Sequence, residues 1–266
     1  MRLMLARGVL ILALLLPAYF AGAALGARFG LFDWQLGLGT LIVQWGPRLL
    51  IGVLVLAVAI LVATLAKVPR QGWRSALIAI LIPALGLGYL AWVRDQSAEI
   101  PPIHDVSTRP NDPPAFSPAL LAQRAGSPDT NPVVSLTVPV STLEKYRGER
   151  FADMGDRTLG EIAAEAYPAV RPLTTPAAPG AAFAAALAEA RAQGWDIVSQ
   201  DAAAGTLDAT ATTFWFGFKD DVAVRVRAEG SGSVIDVRSI SRVGLSDLGA
   251  NAARIEAYLE GVEGRL

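Results

Sequence analysis

Residues 221–243, DVAVRVRAEGSGSVIDVRSISRV, read as a β-hairpin. Val222, Val224 and Val226 alternate with Ala223, Arg225 and Arg227, so the first strand has one apolar face and one polar face. In the second strand Ile235 and Val237 alternate with Asp236, Arg238 and Arg242. Two turns fit between them. With Ser231-Gly232 at the tip, Arg227 stands opposite Asp236; with Gly230-Ser231 there, Arg225 does. Both registers keep the valines on the core side, so the pattern leaves the choice open.

Working outward, further strands are expected at 195–200 and 205–216, and a first short one at 169–174. Thr158-Leu-Gly-Glu161 is a capping box that opens a short helix before Pro168. An alanine-rich helix over 180–193 carries Phe183, Leu187 and Arg191 at a spacing of four and ends at Gly194. A last helix is expected to open near Ser246, with Leu248, Ala252, Ile255, Leu259 and Val262 along one stripe. Residues 141–266 are therefore expected to form a soluble α+β domain, an antiparallel sheet with helices packed on one face.

The other end of the chain is of a different kind. Residues 1–94 carry eight Lys and Arg against one acid, Asp33, whereas 95–266 carry 15 against 23. Uncharged stretches of 20, 18 and 19 residues lie between Arg7 and Arg28, Arg48 and Lys67, and Arg74 and Arg94. A bilayer core about 30 Å thick needs roughly 20 apolar helical residues, so each can cross. An α-helical membrane anchor with three transmembrane helices, at about 8–27, 49–66 and 75–93, is expected. Pro17 and Pro83 fall inside the first and third, where kinks are tolerated. Residues 29–47 read as an interfacial segment, with Trp34 and Trp45 at headgroup level and Arg48 at the mouth of the second span. Arg2, Arg7, Lys67, Arg70 and Arg74 fall on one side of the membrane and Arg28, Arg48 and Arg94 on the other. That bias puts the N-terminus in the cytoplasm and everything after Arg94 outside, in the bacterial periplasm, with the chain in the inner membrane. Ala21-Gly22-Ala23 also fits a signal-peptide cleavage site, and cleavage there leaves the C-terminal domain on the same side.

Nine of the 17 prolines lie between positions 101 and 139, so 95–140 is a proline-rich connector. It reads either as a semi-rigid spacer or, through the Asp, Thr, Asn and Pro of IHDVSTRPNDPPAF (103–116), as an ordered strap on the domain.

The triple hydrophobic anchor, IHDVSTRPNDPPAF, FGFKDDVAVRV (216–226) and VRSISRVGLSDLGANAARI (237–255) resemble an uncharacterised bacterial membrane-protein family. Its C-terminal domain is of unknown function, family 1499. The resemblance covers nearly the whole chain and implies an envelope membrane protein, with no activity and no catalytic residues to carry over.

The residues themselves exclude several chemistries. There is no cysteine and one histidine, His104, which removes disulfides, thiol nucleophiles and two-histidine metal motifs. No cofactor is expected. A metal at Asp220, Asp221 and Asp247 lacks calcium-loop spacing. The acidic exported half disfavours nucleic acid. Arg225, Arg227, Arg238 and Arg242 share polar strand faces, either as a solvated ladder of charge pairs or as a ligand-binding patch for an anion such as a lipid headgroup. Ser246 is a candidate nucleophile only on a poor match, G-L-S-D-L-G, and reads better as a helix cap beside Asp247. Phe214, Trp215, Phe216 and Phe218, with Trp195 and Phe183, divide between core packing and an apolar or membrane contact. His104 beside Asp105 reads as a turn residue rather than a base. The expectation is a non-enzymatic membrane protein presenting a binding or assembly module. Its partners would be the lipid bilayer and an envelope protein or anionic lipid. An envelope hydrolase or transferase using Ser246 or the acid/Arg cluster, and a lipid or apolar-ligand binding module, are the alternatives.

Overall fold

The computed structural model of the chain describes residues 1–66, 68–127 and 129–266. Lys67, counted above among the basic flanks, lies outside the described residues. The chain divides into two compact units, Met1–Glu99 with Phe214–Gly217, and Ile100–Thr213 with Phe218–Leu266.

The first unit holds three helices long and apolar enough to cross a membrane. Helix α1 spans Arg2–Arg28, α2 spans Gly46–Leu65 and α3 spans Trp73–Glu99. The expected interfacial segment is itself helical. Gln35–Trp45 winds as a π-helix directly into α2, giving a continuous helix over Gln35–Leu65. Its small residues explain why: a β-carbon on Gly37 would stand 2.8 Å from the carbonyl oxygen of Ala23, and one on Gly46 2.7 Å from the Phe20 ring. Glycines at those positions let the segment pack closely against α1, as small residues do between helices in lipid. The 18 uncharged residues after Arg48 still suffice to span. Ala6, Ala13, Ala57, Ala76 and Ala79 are fully buried between the helices, while most Leu and Ile side chains face outward.

In the second unit, β1 (Asp105–Ser107) precedes α4 (Pro118–Ala125), short 3₁₀ turns over 140–154, and α5 (Leu159–Ala166) with its capping box formed. Then come β2 (Leu173–Thr175), α6 (Pro179–Ala192), β3 (Asp196–Asp201), β4 (Thr206–Thr212), β5 (Lys219–Glu229), β6 (Gly232–Ser241) and α7 (Ala250–Glu263). The six-stranded sheet runs β1-β6-β5-β4-β3, and β2 pairs with β6 alongside β1; every pairing is antiparallel. Arg225 stands opposite Asp236, which settles the hairpin register on the Gly230-Ser231 turn. Gly230 takes φ +57° at the first turn position, a conformation that favours glycine. The strand expected over 205–216 stops at Thr212, and the last helix opens at Ala250 rather than near Ser246. Gly244, Leu248 and Gly249 all have positive φ, so the intervening backbone turns repeatedly and cannot be helical.

The two sheet faces differ. Helices α6 and α7 cover one, against Leu207, Val222, Val224, Ile235 and Val237. Tyr258 of α7 stacks on Trp195 at 4.8 Å and donates from its hydroxyl to the Ala186 carbonyl at 2.8 Å. The opposite face lies under residues 103–127 and 129–131. Phe116 and Leu120 pack there on Ala223 and Ile240, so α4 sits across the sheet from the other helices. Gly232 admits β2 to the edge of β6, because a β-carbon there would lie 2.1 Å from the Thr175 carbonyl oxygen. Gly232→Ala should force those strands apart and destabilise the protein by about 1–3 kcal/mol. Unfolding of the detergent-solubilised chain in urea, followed by tryptophan fluorescence, measures this.

Candidate functional site

Alternation along β5 and β6 places Asp221, Arg225 and Arg227, and Asp236, Arg238 and Arg242, on the face that the strap covers. Asp221, Asp236, Arg238 and Arg242 are buried, Arg225 and Arg227 only partly so, and all are paired with one another or with the strap. Asp221, with no side-chain exposure, accepts from Arg242 Nε and Nη2 at 2.8 Å each, and from Arg124 Nη1 of α4 at 2.5 Å. The Thr210 hydroxyl adds a fourth bond at 2.8 Å. One carboxylate thus holds two guanidinium groups, a geometry in which a buried charge recovers its desolvation cost. Burial lowers the Arg124 pKa, opposed by the Asp221 charge.

Arg238 forms a fork on Asp105 of β1, Nε to Oδ1 at 3.0 Å and Nη2 to Oδ2 at 2.7 Å, and also donates to the Val134 carbonyl. Phe116 lies between the two cations, its ring centre 5.3 Å from the Arg238 guanidinium and 5.9 Å from that of Arg124. Asp208 accepts from the Ser117 amide at 2.6 Å; its burial raises its pKa. Asn131 continues the strap's attachment, donating from its amide to the Arg242 carbonyl and from its side chain to those of Ser241 and Gly244.

Toward the hairpin tip the network opens to solvent. Arg225 bridges Asp112 and Asp236, Arg227 reaches Asp236 at 2.7 Å, and Arg109 of the strap donates to Asp236 at 3.0 Å. Three guanidiniums therefore share two carboxylates. Arg227 is 41% exposed, Arg109 37% and Asp112 56%, whereas Arg238 and Arg242 are below 10%. The side-chain bonds of Arg225 hold the Asp112 carboxyl below its ordinary pKa. The Nε atoms of Arg225 and Arg227 are buried with no hydrogen-bond partner among the described residues.

Residues 105–262 match the model of a family described as "Protein of unknown function (DUF1499)". The chain belongs to this family. No curated protein matches it. The DUF1499 region begins with β1, so the strap that carries Asp105, Arg109, Asp112 and Arg124 lies inside the family's domain.

The four arginines singled out in the sequence are thus together on one face, but in two environments. Arg238 and Arg242 are filled by carboxylates, while Arg225 and Arg227, joined by Arg109, retain exposure and a surplus of positive charge. The partners Asp105, Asp112, Arg109 and Arg124 were not foreseen. Asp221 and Asp236 share strand parity with the arginines, a signal that this face would be neutralised from within.

Ser246 accepts a bond from the Leu248 amide at 3.2 Å, and Asp247 accepts from the amides of Gly249 and Asn251, so Asp247 rather than Ser246 satisfies the start of α7. Burial raises the Asp247 pKa. Asp220 pairs with Arg254 of α7 at 2.5 Å. His104 is buried, and its Nδ1 meets the Leu245 carbonyl at 3.1 Å. Among the described residues no hydrogen bond joins Ser246 to His104. Phe183 and Trp195 lie in the core, whereas Phe214 and Trp215 are 68% and 53% exposed.

Asp221→Ala would strand two buried cations and should cost about 3–5 kcal/mol. Arg227→Ala, at the open end, should cost under about 1 kcal/mol; thermal unfolding of the two variants compares them. Burial holds the His104 pKa below its ordinary value, outweighing the Leu245 bond and the Asp105 charge. The folded state then binds fewer protons than the unfolded chain, so its stability is full above about pH 6.5 and declines as pH falls below it. His104→Gln should flatten that slope in unfolding curves taken across pH 5–7.

Proposed function

We infer that this DUF1499 protein is a non-enzymatic protein of the bacterial inner membrane that presents its α+β domain in the periplasm as a binding or assembly module. The observation that carries the reading is the occupation of the polar groups. Buried acids and arginines of the covered face hold the strap to the sheet, and among the described residues no base is bonded to Ser246. Groups committed in this way stabilise a fold and are not poised for turnover. The half-open cluster of Arg109, Arg225 and Arg227 is the part suited to an outside contact. Its planar forks and surplus charge fit a carboxylate or phosphate on an envelope protein or an anionic lipid.

The exported location rests on the excess of basic residues at the N-terminus and in the loop between the second and third helices, Arg2, Arg7, Lys67, Arg70 and Arg74, over Arg28, Arg48 and Arg94 on the other side. An alkaline phosphatase fusion after Ser97 should be active and one at Gln71 inactive; the reverse pattern defeats the topology. A photo-crosslinker at position 229, beside the cluster, should trap a discrete adduct that Arg227→Glu abolishes. A second reading, lipid contact through an apolar surface, is favoured by the exposure of Phe214 and Trp215. Under that reading a crosslinker at position 212, at the other end of the strand, traps lipid, and Trp215→Ser removes that adduct while Arg227→Glu leaves it intact.

A further inference from the structure

The open end of the arginine network already holds an oxyanion, and that oxyanion is the protein's own. Arg225 donates from Nη1 to Asp112 Oδ1 at 3.1 Å and from Nη2 to Oδ2 at 2.9 Å, a two-pronged grip on one carboxylate. Arg227 Nη1 stands 3.5 Å from the same Oδ2, near enough to attract it but too far for a good hydrogen bond. The Asp112 side chain is 56% exposed, and among the described residues its carboxylate has no other hydrogen-bond partner.

Its mounting suits exchange. Asp112 closes a β-turn that begins at Arg109, its amide donating to the Arg109 carbonyl at 3.1 Å, with Pro110 in the second position. Before the turn Asp105 is forked on Arg238, and after it the Ser117 amide is bonded to Asp208, so the strap stays fixed on both sides when a side chain of the turn moves. The Asp112 carbonyl accepts from Arg225 Nη2 at 2.7 Å. That bond keeps the guanidinium aimed while the carboxylate rotates away, a fast rotamer change for an exposed side chain.

Charge then selects the ligand. Arg109, Arg225 and Arg227 face Asp112 and Asp236, a surplus of one positive charge that becomes two when the Asp112 carboxylate turns out. Glu229, next along the strand face, meets the Thr174 hydroxyl instead. A monoanion in the place of Asp112 only restores the present balance, against a carboxylate tethered beside the site at high effective concentration. A phosphate monoester carries about −1.5 to −2 charges at neutral pH and three acceptor oxygens, one for each guanidinium nitrogen that now faces the Asp112 carboxylate.

We propose that Arg225 and Arg227 bind a phosphate monoester, with Asp112 a built-in competitor that turns out of the fork to admit it. This deepens the contact inferred above and rests on that reading of the cluster.

Calorimetric titration of the full-length protein in phosphatidylcholine nanodiscs with phenyl phosphate, at constant ionic strength, tests this. Saturable binding is expected. Asp112→Asn, which removes the competing charge, should tighten it about fivefold, and Arg227→Gln should weaken it about tenfold. Glu229→Gln deletes the same charge outside the fork and should change the affinity by less than about twofold. Methyl phenyl phosphate, a monoanion, should bind about tenfold more weakly than phenyl phosphate. Phosphatidic acid added to the nanodiscs should compete with phenyl phosphate if the monoester is a lipid headgroup; an unchanged titration assigns the site to a soluble ester. Absence of saturable binding in both the unaltered protein and Asp112→Asn overturns the proposal, as does an affinity that Asp112→Asn raises no more than Glu229→Gln does. An adduct at position 229 that Arg227→Glu abolishes would then leave the binding module standing without its phosphate ligand.

Discussion

Asp221 is the point on which the C-terminal α+β domain turns. Its side chain is wholly enclosed and bound by Arg242 from the neighbouring strand and Arg124 from the strap helix, with Thr210 from the strand on its other side. Removing either the carboxylate or its guanidinium partners would leave an uncompensated buried charge, which is strongly destabilising. The strap is therefore part of the domain. It brings Arg124 to Asp221 and Asp105 to Arg238, and it seals both pairs from water beneath Phe116 and Leu120. Each component makes the burial of the other affordable.

This arrangement gives the sheet two unlike covers. Over one face, helices α6 and α7 close an apolar core whose attraction is non-directional. Over the other, a proline-rich segment is held by oriented bonds: forks of arginine on aspartate, an Asn131 side chain spanning two carbonyls, and a Ser117 amide on Asp208. Such bonds demand one register and one placement of the strap, because a shift of one residue would leave charges unpaired in a low-dielectric interior. The polar face is consequently specific where the apolar face is tolerant. Only near the hairpin tip, where Arg109, Arg225 and Arg227 share Asp112 and Asp236, does the network reach solvent.

Much of the fold was legible in the chain. Period-two alternation identified the central strands, the Thr158 capping box and Gly194 bounded two helices, and uncharged runs between basic residues marked the three apolar helices. Legibility failed where several backbone turns follow each other. The positive φ values at Gly244, Leu248 and Gly249 delay α7 beyond Ser246, and periodicity alone does not reveal them. It was incomplete at Gln35–Trp45, where the segment read as interfacial is helical and packs closely on α1. At the candidate site the arginines and their hairpin partners Asp221 and Asp236 were visible, but Asp105, Arg109, Asp112 and Arg124 lie about a hundred residues away in the connector, and no local pattern joins Arg238 to Asp105 or Asp221 to Arg124.

The amino-acid sequence by itself determined the division into an apolar helical part and an acidic α+β part, because charge spacing and hydrophobic period are local properties that any folded form must respect. Tertiary structure alone decided the hairpin register, which both turns allowed, and the fate of the four arginines. Whether a guanidinium is solvated, filled by a carboxylate or left half open depends on what is brought against it from distant parts of the chain. Pairing energies in a buried site are set by that three-dimensional enclosure, and by distances of 2.5–3.0 Å that sequence separation does not encode.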